Sequence, residues 1–145
     1  MSKVVHPTRS ETSGARERLT DLRHALLQLH KTLIDSERRT YERAFGTIAT
    51  PYHFLHLLTS DPWFAWLLPV TQLLAVMDER LEDAEPLTVA SVEEFAQRMK
   101  SLLAPSEYGE GFSRHYDEAL QRSPEVLFAH VTLAKLLREQ NGWSG

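Results

Sequence analysis

Leu19, Leu22, Leu26, Leu29 and Leu33 follow one another at spacings of three and four residues. That spacing puts all five on one face of an α-helix but scatters them over both faces of a strand, so it commits the chain to helix packing. Leu27, Ile34, Tyr41 and Phe45 widen the stripe, and Gly46 is a natural stop. The spacing predicts a helix over residues 15–45, more than about 40 Å long. One apolar stripe of that length has to be covered by several shorter partners.

The rest of the sequence supplies them. Thr50-Pro51 opens a short helix to about Leu58, with a capping hydroxyl and a proline suited to the first helical position. Ser60-Asp61-Pro62 repeats the start signal, and Trp63, Trp66, Leu67, Val70, Leu73, Leu74, Met77 and Leu81 form the next stripe. Pro69 lies inside it and removes a backbone donor, which predicts a kink between Ala65 and Pro69. An acidic loop over residues 82–88 leads to a helix over 91–104, where Ser91-x-x-Glu94 has the form of a capping box. Two further helices are expected, one from Phe112 to the approach of Pro124 and one over residues 125–140. No segment alternates with a period of two. The expected fold is all-α: a single-domain helical bundle over residues 15–142, with four main antiparallel helices, short helices and a long first helix. Residues 1–14 are polar and aperiodic and read as a flexible N-terminal tail.

Composition narrows the function classes. The chain has 145 residues, 42% of them hydrophobic, and no cysteine. A chain of this length buries roughly 68–70% of its unfolded surface and needs no covalent staple. Without cysteine there is no disulfide framework, zinc ribbon or thiol nucleophile. The net charge of -4 argues against nucleic acid as a partner. The longest apolar run, Pro62 to Val70, is far short of the roughly 20 residues of a membrane span, and no signal-peptide core follows Lys3. A cytoplasmic location is expected. The charge is uneven: nine basic and six acidic residues precede Ala44, and seven basic and fourteen acidic residues follow. A basic first helix against the acidic stretch Asp78 to Glu94, within one chain or between two, accounts for that asymmetry.

No catalytic signature accompanies this pattern. No glutamate has a histidine three residues later, as a di-iron bundle needs. There is no phosphate-binding loop, no dinucleotide fingerprint and no nucleophile elbow. Gly109-Glu110-Gly111 reads as a turn. His53 and His56 share a helix face but hold a metal only if other helices add ligands.

Four polar residues call for an account. His30 and Glu37 are seven apart, two turns along one face of the first helix. His130 sits in the apolar stripe of the last helix, and Asp78 flanks the stripe of the Trp63–Leu81 segment. If three of them meet they form a buried polar layer, which must be paired or hydrogen-bonded. Such a layer is a structural pair that fixes helix register, a metal or heme site, or an acid/base pair. No cofactor is favoured. Trp63, Phe64 and Trp66 cannot all face one core, so Phe64 either packs under a loop or contributes with its neighbours to an exposed interaction surface.

The span from Leu26 to His130, with SDPWFAWLLP and LLAPSEYGEGF, resembles a family of small bacterial all-helical proteins known mainly as uncharacterised. That resemblance implies no particular activity or site residue. Tyr116-x-x-Ala119-Leu120-x-x-x-Pro124, followed by Ala129, Leu133-Ala134 and Leu137, resembles one junction of a tetratricopeptide repeat over residues 112–142. No second copy precedes it, and Phe112 stands where the repeat prefers a small residue, so the segment reads as a generic helical hairpin. Together these features lead to the expectation of a non-enzymatic interaction or regulatory module. Its partner is itself, as a homodimer, or another protein. The uncovered part of the first helix and Phe64 are the expected contact surfaces. The alternative is a bundle that binds a metal, heme or small apolar ligand at the polar layer.

Overall fold

The computed structural model describes residues 9–104, 106 and 109–141. Among them the chain forms six α-helices: α1 (Arg9–Phe45), α2 (Pro51–Ser60), α3 (Leu68–Glu82), α4 (Val89–Leu102), α5 (Phe112–Arg122) and α6 (Pro124–Asn141). A 3-10 helix, Pro62–Leu67, precedes α3. No strand occurs among the described residues, and the fold is all-α.

The long helix is longer than its apolar stripe suggests. Residues 9–14, expected in a tail, are helical and continue α1 toward its N-terminus. Ala15 is 1% exposed, so the packed face begins one turn before Leu19. The rest of the expected tail, residues 1–8, lies outside the described residues, as does Gly142 at the other end. The α1 leucines at 19, 22, 26, 29 and 33 are fully buried. They meet Val70, Leu73 and Met77 of α3, Val92, Phe95 and Met99 of α4, and Val126, Leu133 and Leu137 of α6 in one core. Thus α1 is the axis on which α3, α4 and α6 pack, while α5 packs on α6 and α2 on the 3-10 segment.

Local chemistry explains most boundaries. Gly46 adopts φ 96°, a left-handed conformation that favours glycine, and closes α1 through its N–H to the Glu42 carbonyl. Thr50 caps α2 by accepting from the His53 N–H at 3.0 Å. Asp61 caps the 3-10 segment by accepting from the Trp63 N–H at 2.8 Å. The irregularity expected ahead of Pro69 is this 3-10 turn, which hands over to regular helix at Leu68. The start of α4 is a correction. Thr88, not Ser91, is the cap: its hydroxyl accepts from the Ser91 N–H at 3.1 Å, so the helix begins two residues earlier than the capping-box pattern suggested. Ser123 opens α6 through a 3.3 Å bond from the Val126 N–H, with Pro124 at the first position.

Candidate functional site

His30 and Glu37 belong to a longer row. Arg16, Arg23, His30 and Glu37 recur every seven residues along α1, beside the leucine stripe, and each reaches a different partner. The Arg16 guanidinium donates to the Leu81 carbonyl at the end of α3. Arg23 forms an ion pair with Asp78. His30 Nε2 shares a 2.9 Å hydrogen bond with the Thr71 hydroxyl. Glu37 Oε1 accepts from Arg122 of α5 at 2.6 Å. The first three partners step backwards along α3 as α1 advances, so the two helices are antiparallel. Of the acidic stretch Asp78 to Glu94, Asp78 itself pairs with the basic start of α1, through Arg23 and within one chain.

The row becomes drier toward its C-terminal end. Arg23 and Asp78 have side chains 32% and 44% exposed, whereas the Glu37 side chain is 8% exposed. Glu37 is therefore a buried carboxylate that must keep a partner, and Arg122, one-third exposed, provides it from the rim.

His130 does not join this group. Its Nδ1 shares a 2.7 Å hydrogen bond with the buried Tyr116 hydroxyl across the α5–α6 hairpin. The expected approach of Glu37 to His130 is thus replaced by two separate pairs, Glu37–Arg122 and His130–Tyr116. The reason is register. The helices α1 and α6 run antiparallel, with Arg39 beside Glu125 at the start of α6 and His24 beside Thr132 further along. Glu37 therefore lies level with the α5–α6 corner, while His130 lies level with the middle of α1, on a face of α6 turned toward Leu103 and Lys100. Asp78 is taken by Arg23 and His30 by Thr71, so no shared polar layer forms. Burial lowers the pKa of both His30 and His130 and so favours neutral imidazoles, the reverse of the protonated His130 that pairing with Glu37 would give. Burial also raises the Tyr116 hydroxyl above its ordinary value. Among the described residues no three His, Asp or Glu side chains are grouped to hold a metal ion. His53 and His56 are both exposed on α2.

The aromatic cluster is mostly internal. Phe64 is 2% exposed, packed 5.5 Å from Tyr41 and 5.9 Å from Phe54 by ring centroids, so it is not a contact surface. Trp63 stands edge-on to Tyr41 and Phe45, and its Nε1 is buried without a hydrogen-bond partner. Trp66 stacks on His115 at 5.3 Å and lies beside Phe112. Both tryptophans are partly buried. Large apolar groups that reach solvent include Phe45, Tyr52 and Leu55 near α2, Leu68 and Val76 on α3, Val89 at the start of α4, and Leu127, Phe128 and Val131 on the outer side of α6. Phe128 and Val131 are not among the residues singled out from the sequence. The signal was present, because Val126, Leu133 and Leu137 alone complete a buried face and leave 127, 128 and 131 pointing away.

No protein-family model matches the chain, and no curated protein or solved structure matches it either. Among the described residues, no helix is long and apolar enough to cross a membrane.

Proposed function

We propose that the chain is a non-enzymatic helical interaction module of the cytoplasm that associates with a second copy of itself through the outer side of α6. The observation that carries this reading is Phe128, 76% exposed in the first half of α6. Leu127 and Val131 flank it at 47% and 53% exposed. A groove of about 640 Å³ runs beside Phe128, between His24, Gln28 and Thr32 of α1 and Ala129 and Thr132 of α6. A projecting ring next to a groove is self-complementary under a two-fold axis, because each copy offers the other both parts.

Charge supports an antiparallel arrangement. Glu125 lies at the N-terminal end of this face, and Lys135 and Arg138 lie toward its C-terminal end. An antiparallel pair of α6 helices sets the Glu125 end of one copy against the Lys135 end of the other, twice by symmetry. Exposed pairs of this kind select orientation more than they add affinity. The polar groups of the α1 row are each satisfied inside the chain, whereas the apolar α6 face gains from a partner that covers it.

Sedimentation equilibrium of the full chain tests the reading. At micromolar concentration the expected mass is twice the 16.6 kDa of one chain. Phe128→Glu is expected to sediment at the single-chain mass with an unchanged circular dichroism spectrum. A wild-type protein that stays monomeric at high concentration, or a Phe128→Glu protein that still dimerises, contradicts it.

A further inference from the structure

The corner where α1 ends against the α5–α6 turn encloses a polar recess. Arg39 and Arg43 of α1 and Arg122 of α5 line a cavity of about 180 Å³ together with Ser36, Thr40 and Ser123. Ser36 and Ser123 are 3% and 4% exposed, so this is part of the packed structure and not a loose surface cluster. The guanidiniums outnumber their counter-charges. Arg122 gives one N–H to Glu37. Arg39 has a carboxylate only at 3.9 Å, and among the described residues no carboxylate pairs with Arg43.

The recess already accepts one oxyanion. The Glu125 carboxylate takes a 3.1 Å hydrogen bond from the Ser123 hydroxyl and faces Arg39. Its own backbone N–H and then the Ser123 hydroxyl hold its pKa below the usual carboxylate value, with Arg39 adding to the effect. Its side chain is 67% exposed, so it can swing into solvent and release both Ser123 and Arg39 to a stronger anion. Guanidinium forks match phosphoryl oxygens in geometry as well as charge.

A second cavity, of about 300 Å³, shares Thr40 and Arg122 with the recess and is walled by Trp63, Trp66 and His115; the Glu37 and Glu118 carboxylates also line it, paired with Arg122 and with Arg114 at 3.6 Å. A cationic half and an aromatic half thus adjoin along Arg122. We propose that the pair of cavities binds a small aromatic phosphate monoester, its phosphoryl oxygens on Arg39, Arg43 and Arg122 and its ring against Trp63 and Trp66. The three arginines and two tryptophans lie off the Leu127–Phe128–Val131 face, and Glu125 is common to the recess and the groove beside Phe128.

Titration calorimetry of the full chain with phenyl phosphate, inorganic phosphate and phenol tests the proposal, with tryptophan fluorescence as a second readout. Phenyl phosphate is expected to bind saturably with Kd below about 1 mM. Inorganic phosphate should bind at least about tenfold more weakly, and phenol more weakly still, because each fills one half of the site. Arg39→Gln with Arg43→Gln should weaken phenyl phosphate at least about tenfold while the thermal melt is retained, since both side chains are exposed. Arg43→Gln alone should give a smaller loss, and Glu125→Gln, which removes the competing carboxylate, should tighten binding. Arg98→Gln on α4 should leave it unchanged. Absence of saturable binding, or equal affinity in the wild type and the double variant, overturns the site. Equal affinity for phenyl phosphate and inorganic phosphate overturns its aromatic half.

Discussion

Two rows run side by side along α1, and they are built on different principles. The leucine row at 19, 22, 26, 29 and 33 is uniformly buried, and any apolar surface of matching shape satisfies it. The polar row at 16, 23, 30 and 37 passes from exposed to buried, and each member depends on one particular partner: a carbonyl, a carboxylate, a hydroxyl or a guanidinium. The leucine row supplies the energy of folding. The polar row fixes how far each neighbour may slide, because a shift of one turn leaves its groups without partners.

The first way to break that comparison is to cut the leucine row. Leu29→Ala is expected to destabilise by roughly 2–5 kcal/mol in urea unfolding, the range for a buried leucine that leaves a cavity. Leu73→Ala and Leu133→Ala should fall in the same range, since all three residues are buried. Losses under about 0.5 kcal/mol, the range of surface substitutions, would place these side chains outside the core.

The polar row should respond unequally at its two ends. Arg122→Ala strands the Glu37 carboxylate in the protein, at an expected cost of about 2–4 kcal/mol. Glu37→Ala should cost less, about 1–2 kcal/mol, because the abandoned Arg122 is one-third exposed and can turn to water. Glu82→Ala on the surface should stay within about 0.5 kcal/mol. Equal losses for all three would mean that Glu37 is not buried as described.

Acidification probes the imidazoles. Burial lowers the pKa of His30 and His130 in the folded chain below the ordinary 6.5. The unfolded chain then binds more protons than the folded one between the lowered values and about 6.5. Their contribution is complete above about pH 6.5 and is lost as the pH falls toward the folded values, where the loss levels off. His130→Gln should flatten the stability profile over that window in chemical unfolding at a series of pH values. A profile as steep as that of the wild type would show that His130 is already free to ionise in the folded chain.

The smallest effect belongs at the exposed end. Arg23 and Asp78 are each about one-third or more exposed, so Arg23→Ala should cost no more than about 1 kcal/mol, and less as salt is added. A salt-independent loss of several kcal/mol would erase the distinction between the two ends of the row.

These rows also mark what a sequence of this kind discloses. Leu19 to Leu33 could be placed because burial depends on periodicity, which one strand of text contains. The polar row could be found in part: the seven-residue step from His30 to Glu37 was visible, and continuing it back reaches Arg23 and Arg16. The partners could not be found. Arg122 lies 85 residues from Glu37, and which of the buried acids and imidazoles it meets depends on the register of α6 on α1 and on the α5–α6 corner. For the same reason His130 looked available to Glu37 until Tyr116, 14 residues away on the facing helix of its own hairpin, took it. Phe64 was ambiguous because a 3-10 turn rotates successive side chains by 120° rather than 100°, which brings it inward against Tyr41 and Phe54. The start of α4 departs from the capping-box expectation because Thr88 and Ser91 are both good caps, and Leu87, 1% exposed, anchors the chain one residue before the earlier one.

A pair of double-mutant cycles tests the division of labour most directly. Glu37→Gln is combined with Arg122→Gln in one cycle and with His130→Gln in the other, and stability is measured by urea unfolding of the four proteins in each. The structure predicts a coupling of about 1–3 kcal/mol between Glu37 and Arg122 and one within about 0.5 kcal/mol of zero between Glu37 and His130. Strong coupling of Glu37 to His130, with none to Arg122, would contradict the account and restore a single polar layer at the centre of the molecule.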